Sequence, residues 1–192
     1  WRRRFRRNRR RIGGLVLQGD RSEIEIRRAV TEDAEALQAL GIASFVAAFE
    51  DLYSPEDLNA FLTENYSLDT WQRQASQPDR PIWVATTSDG NLVGYAQASS
   101  CDLPIEPMPD GALQLRRLYV RPDILSAGIG AALMLRVFEW VEAAGRPPLF
   151  LGVWSGNDRA QKFYARYRFS KVGEYDFPVG AQVDREFIFR RD

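Results

Sequence analysis

The sequence contains no histidine, one cysteine and two methionines. Without histidine, a Ser-His-Asp triad, a Cys-His dyad and every His-ligated zinc site are excluded from these residues. A metal site would need carboxylates, and no cluster of them has calcium-loop spacing, so no metal is expected. The single cysteine, Cys101, forms no internal disulfide and fits a reducing, cytoplasmic setting. No apolar run approaches the roughly 18 residues of a membrane span, so no membrane partner is expected. Internal repeats are also missing.

What is present suits one domain. The 192 residues are 45% apolar and 12% aromatic, enough for a sizeable core. The formal net charge of zero hides an asymmetry. Residues 2–11 hold 8 of the 26 basic residues, leaving 18 against 26 acidic ones and a net charge of −8 for the rest. An acidic body disfavours nucleic acid as a partner and suits a cationic substrate. The Arg-rich head reads as an RNA-binding tail, a targeting sequence or, because the chain opens on Trp1, an incidental extension. The last is preferred. Residues 1–22 are expected to be a disordered head and linker, and residues 23–192 a single domain.

Alternation of Ile24 and Ile26 with polar residues predicts a first strand near 23–29. Thr31 is expected to cap a helix reaching Phe49, with Leu37, Leu40, Ala43 and Ala47 as its inner stripe. Ser54-Pro55-Glu56-Asp57 signals a second helix over 55–65, and Asp69 a third over 69–76. Ile82–Thr87 and Leu92–Ser99 read as a hairpin turning at Asp89-Gly90. A proline-rich loop follows at 101–111, then a strand Leu113–Val120. Ala127–Ala144 is the clearest helix, with apolar residues at helical spacing and Gly145 at its end. Strand Leu149–Trp154, helix Asp158–Tyr167 and strands near 169–176 and 183–190 complete an α/β chain. It forms one mixed sheet with helices on both faces.

The most informative stretch is Leu118–Ala132, where a strand leads through a short loop into a helix opening on Gly128 and Gly130. Free N–H groups at a helix start, with the dipole, make a phosphate site, and glycine lets the ligand approach. A tight turn with close helix-to-sheet packing explains the two glycines equally well. A P-loop is excluded because Ala131 and Ala132 follow Gly130, and a dinucleotide fingerprint because its third small residue is Leu133.

These residues resemble the GNAT superfamily of acetyl-CoA-dependent acetyltransferases, whose pyrophosphate motif reads Gln/Arg-x-x-Gly-x-Gly/Ala after Val-x-Pro. Val120-Arg121-Pro122 and Gly128-x-Gly130 match, whereas Leu125 and Ser126 depart from the usual residues. A second motif, Asn-x-x-Ala-x-x-Phe-Tyr-x-x-x-Gly-Phe, matches at Asn157, Ala160, Phe163, Tyr164 and Phe169, with Arg168 replacing the glycine. Arginine there is expected to cost stability, because that glycine often has positive φ.

The resemblance implies a GNAT-like central mixed sheet with acetyl-CoA as cosubstrate. Backbone groups of Ser126, Ala127, Gly128, Ile129, Gly130 and Ala131 would then bind the pyrophosphate. Leu118, Tyr119 and Val120 would hold the pantetheine arm and acetyl carbonyl through their backbones. Asn157 would hold that arm, cap its helix, or do both. Tyr164 would protonate the departing thiolate. From periodicity alone, Tyr164 is a core aromatic in the stripe with Ala160, Phe163 and Tyr167. No general base is identifiable: the strand that carries a glutamate in some relatives offers Gln114 here.

The stretch Phe49–Leu58 and the ending Val172–Phe189 resemble a bacterial subgroup related to polyamine (spermidine/spermine) acetyltransferases. Its carboxylates beside aromatics suit a long cation, or else form a solvated acidic face. The expected substrate is a primary amine, a polyamine or other small amine, attacked directly on the thioester. Alternatives are the N-terminal amine of a protein or peptide, or a non-catalytic acyl-CoA-binding regulatory domain. A homodimer is compatible with the sequence.

Overall fold

The computed structural model describes residues 15–17, 24–124 and 128–192. The Arg-rich head lies outside these residues. Leu15–Leu17, inside the stretch read as a linker, forms a strand (β1) antiparallel to Ile24–Arg28 (β2). The expected alternation holds in β2, where Ile24 and Ile26 are buried.

Thr31 does not cap the first helix. It opens a 3-10 turn, and Asp33 takes the organising role by accepting from the Val30 N–H at 2.8 Å and from Arg27 at 2.7 and 2.8 Å. Helix α1 then runs Ala34–Phe49. Its inner stripe is Ala34, Leu37, Leu40, Gly41 and Phe45, so Leu37 and Leu40 face inward as expected but Ala43 and Ala47 are exposed. Gly41 makes that face possible, since a Cβ there would stand 2.9 Å from the Tyr66 ring.

Helix α2 (Pro55–Asn65) begins as expected, the Ser54 hydroxyl accepting from the Asp57 N–H. Helix α3 (Leu68–Ala75) is capped by Ser67; Asp69 instead pairs with Arg73 one turn on, at 2.7 Å. Strands β3 (Ile82–Thr86) and β4 (Leu92–Ser100) form the hairpin, with Gly90 at φ 84°. Strand β5 (Leu113–Val120), helix α4 (Ile129–Ala143), strand β6 (Leu149–Trp154) and helix α5 (Asp158–Arg166) follow. Strands β7 (Ser170–Val179) and β8 (Gln182–Arg191) are longer than their apolar runs suggest and continue to a shared turn.

The eight strands form one sheet in the order β1-β2-β3-β4-β5-β6-β8-β7. Neighbours are antiparallel except β5 and β6. Helices α4 and α5 cover one face, packing Leu133, Val137 and Phe163 against Leu115, Leu151 and Phe189. Helices α1–α3 cover the other around Trp71, Tyr95 and Val84. Among the described residues no helix is long and apolar enough to cross a membrane.

Candidate active site

Strands β5 and β6 pair only at Leu113–Leu149 and Gln114–Phe150. A register shift against β4 follows immediately: Gln97 faces Arg117 and Ala98 faces Leu115, leaving Arg116 as the extra residue of a bulge. A bulge bends its strand and increases its twist. The two strands therefore part, and beside the parting lies a cleft of about 1080 Å³.

The end of β5 contributes Leu118, Tyr119 and Val120 to this cleft, and the start of α4 contributes Gly128, Ile129, Gly130 and Ala131. Asn157 and Tyr164 come from α5, and Ser44, Ala47 and Ala48 from α1. Every sequence-predicted site residue that is described thus lines one cavity. Ser126 and Ala127 lie outside the described residues. Gly128 is the N-cap of α4 with φ 80°, and among the described residues no side chain caps that helix start. This left-handed geometry is what glycine tolerates and L-residues avoid. Arg159, Lys162 and Arg166 add positive charge along α5.

Asn157 caps α5, its Oδ1 accepting from the Ala160 N–H at 3.0 Å. Among the described residues no hydrogen bond uses its Nδ2. The Tyr164 ring packs edge-on against Phe163 and Phe169, with centroids 5.5 and 5.8 Å away. Its hydroxyl has no hydrogen-bond partner among the described residues. Burial pushes its pKa above the ordinary phenol value, and the negative charge of Glu186 pushes it further. At neutral pH the phenol is therefore protonated. Arg168 turns the chain after α5 with φ 65°, the geometry the missing glycine would have supplied.

Residues absent from the sequence reading stand near this cleft without lining it, and the charge of Glu186 acts on Tyr164. Glu186 on β8 accepts from the Tyr175 hydroxyl at 2.9 Å and lies over Gly152 of β6. Burial raises its pKa, the Tyr175 bond opposes that, and the charge of Asp184 adds to the rise. Asp184 is buried and accepts from the Tyr53 hydroxyl. Among the described residues neither carboxylate joins an ion pair. The signal for both was the alternation in β8. Phe187 and Phe189 pack toward α4 and α5, so Asp184, Glu186 and Ile188 point to the opposite face.

The acidic run between α1 and α2 behaves differently. Glu50, Asp51 and Glu56 are exposed, and Asp57 instead accepts from the Ala181 N–H in the β7–β8 turn. Gln114 is buried and accepts from the Asp102 N–H, a structural role.

Comparison with known proteins fits this geometry. The acetyltransferase (GNAT) family matches residues 46–169. An uncharacterized N-acetyltransferase of Mycobacterium tuberculosis is 31% identical over 160 residues, covering 83% of this chain and 97% of that protein. The spermidine N(1)-acetyltransferase of Thermoplasma acidophilum is 26% identical over 157 residues, covering 80% and 91%. Among solved structures, the PaiA N-acetyltransferase of Thermoplasma acidophilum in complex with coenzyme A has a TM-score of 0.70 at 24% identity. It covers 88% of this chain and 98% of that one, a likeness of fold.

Proposed function

The chain belongs to the GNAT family of acetyltransferases, and on that premise we propose that it moves the acetyl group of acetyl-CoA onto a primary amine, a polyamine or another small amine. The observation that carries this reading is the parting of β5 and β6 beside Tyr164. Acetyl-CoA supplies an acetyl group already activated as a thioester.

The residues present suit that cosubstrate. Backbone N–H groups of Gly128, Ile129, Gly130 and Ala131, extended by Ser126 and Ala127, bind the pyrophosphate where the helix dipole favours negative charge. Arg159, Lys162 and Arg166 reinforce this on the same cleft. Leu118, Tyr119 and Val120 present backbone groups on the side where β5 has lost β6, and these hold the pantetheine arm and the acetyl carbonyl. Asn157 keeps its Nδ2 for the same arm while its Oδ1 caps α5. Tyr164 donates its proton to the departing sulfur, and its burial keeps that proton in place until then.

The small-amine reading draws on the resemblance to the spermidine N(1)-acetyltransferase and on the acidic residues of the opposite face. A panel of amines incubated with acetyl-CoA, with thiol release followed, tests it. Polyamines and related small amines should release thiol. Acetyl-CoA binding without release by any amine would overturn the reading.

A further inference from the structure

An alkyl amine is an ammonium ion at neutral pH and cannot attack until one N–H proton leaves. Gln114 carries no charge and is engaged by the Asp102 N–H. The arrangement around Glu186 is different. Strand β6 is free of β5 beyond Phe150, and Gly152 is the second residue past that point. The Glu186 Oε2 lies 2.7 Å from where a Cβ on Gly152 would stand, so the carboxylate leans over β6 beside the opening. Only one hydrogen bond, from Tyr175, reaches it among the described residues, although a carboxylate offers about four acceptor positions. Trp154, its cross-strand partner, stands edge-on to Phe49 at 5.8 Å, giving an apolar wall.

Around Glu186, Tyr175 comes from β7, Asp184 from the same strand as Glu186, Tyr53 from the α1–α2 connection and Tyr164 from α5. The Asp102–Arg116 ion pair, 2.7 Å long, flanks Tyr175. Tyr53 donates to Asp184 and so holds that carboxylate in place near Glu186. No basic side chain pairs with either carboxylate among the described residues, which suits a cationic ligand.

Building on the acetyl-transfer reading, we propose that Glu186 is the proton acceptor for the attacking amine, with Tyr175 as its positioning residue. One N–H proton of the ammonium passes to the free carboxylate oxygen. The nitrogen lone pair then forms the N–C bond as the C–S bond breaks. Tyr164 gives its proton to the sulfur and regains one from the nitrogen, and Glu186 releases its proton to water. The net products are amide, thiol and one proton. Burial and the charge of Asp184 raise the proton affinity of Glu186 toward what a base needs.

The test compares Glu186→Gln and Tyr175→Phe with the wild type across pH, using spermidine, or whichever amine the wild type turns over fastest, and trifluoroethylamine, which is largely neutral at pH 7. Glu186→Gln keeps the shape of the side chain and an acceptor for Tyr175. It should lose about 100- to 10,000-fold in kcat/KM for the basic amine at neutral pH. The loss should shrink at high pH and for trifluoroethylamine, with acetyl-CoA affinity and Tm unchanged. Tyr175→Phe removes the bond that lowers the Glu186 pKa, so its acidic limb should move to higher pH. A Glu186→Gln profile matching wild type, or a loss equal at every pH and for both amines, would overturn the assignment of Glu186 alone. A wild-type chain that binds acetyl-CoA but acetylates no amine would overturn the underlying reading instead.

Discussion

The carboxylate of Glu186 occupies space that a side chain on Gly152 would need. A Cβ there would meet the Glu186 Oε2 at 2.7 Å and the Tyr175 Oη at 2.8 Å. Both are the far ends of side chains, so Gly152→Ala should fold while displacing the pair. Overpacking of this kind costs about 1–3 kcal/mol. Turnover should fall about 10- to 100-fold through misplacement of Glu186. Acetyl-CoA affinity, measured by calorimetry, should stay near wild type.

Tyr164→Phe removes a hydroxyl that bonds to no described residue and leaves the ring on Phe163 and Phe169. Tm should therefore hold. Turnover should drop about 100- to 10,000-fold if the phenol is the acid. Full activity in a folded variant would return Tyr164 to the role of a packing aromatic.

Gly128→Ala tests the helix start. Among the described residues nothing lies within 4 Å of the added Cβ, so the cost is conformational, at φ 80°. That cost is about 1–2 kcal/mol, or roughly 2–4 °C in Tm per kcal/mol for a chain of this size. If the backbone relaxes instead, its N–H groups lose their aim. Acetyl-CoA should then bind more weakly in a calorimetric titration, with the melting transition still cooperative.

Arg168→Gly should stabilise. The exposed arginine holds φ 65°, and a left-handed L-residue costs about 1–2 kcal/mol. Glycine returns part of this as unfolded-state entropy, roughly 0.5–1 kcal/mol. A small rise in Tm with unchanged turnover is expected, read from a thermal melt.

Acid should weaken the start of α1. Burial would raise the Asp33 pKa, but Arg27 and the Val30 N–H outweigh it and hold the carboxylate below its ordinary value of 3.8. A depressed folded pKa stabilises above the unfolded value, and that stability is lost as pH falls through the folded one. Asp33→Asn should remove this part of the acid dependence, measured as denaturation midpoint against pH.

The order of elements along the chain and one mixed sheet with helices on both faces were legible because they rest on local signals. Gly128, Asn157 and Tyr164 sit within short motifs on strand–helix units. Thr31 and Asp69 misled because a capping residue can be replaced by a neighbour with better reach: Asp33 bonds back to Val30 and Arg27, and Ser67 precedes α3. The alternation in β8 marked the face on which Glu186 lies but not its meaning. That meaning depends on Gly152 and Tyr175, on two other strands, and on where β5 leaves β6, none of which a local pattern records. The acidic stretch after Phe49 leaves Glu50, Asp51 and Glu56 exposed, whereas Asp184 on β8 is buried.

The seam between β5 and β6 is only two register pairs long. The sheet is therefore two blades, β1–β5 and β6–β8, stitched at one end and open at the other. A ligand that bonds to both blades would act as mortar in that joint. Its binding energy would count toward the mechanical unity of the whole molecule. Backbone amides of residues 116–120, on the open flank of β5, should then exchange with solvent more slowly once acetyl-CoA is bound, and the two blades should melt together at a higher temperature.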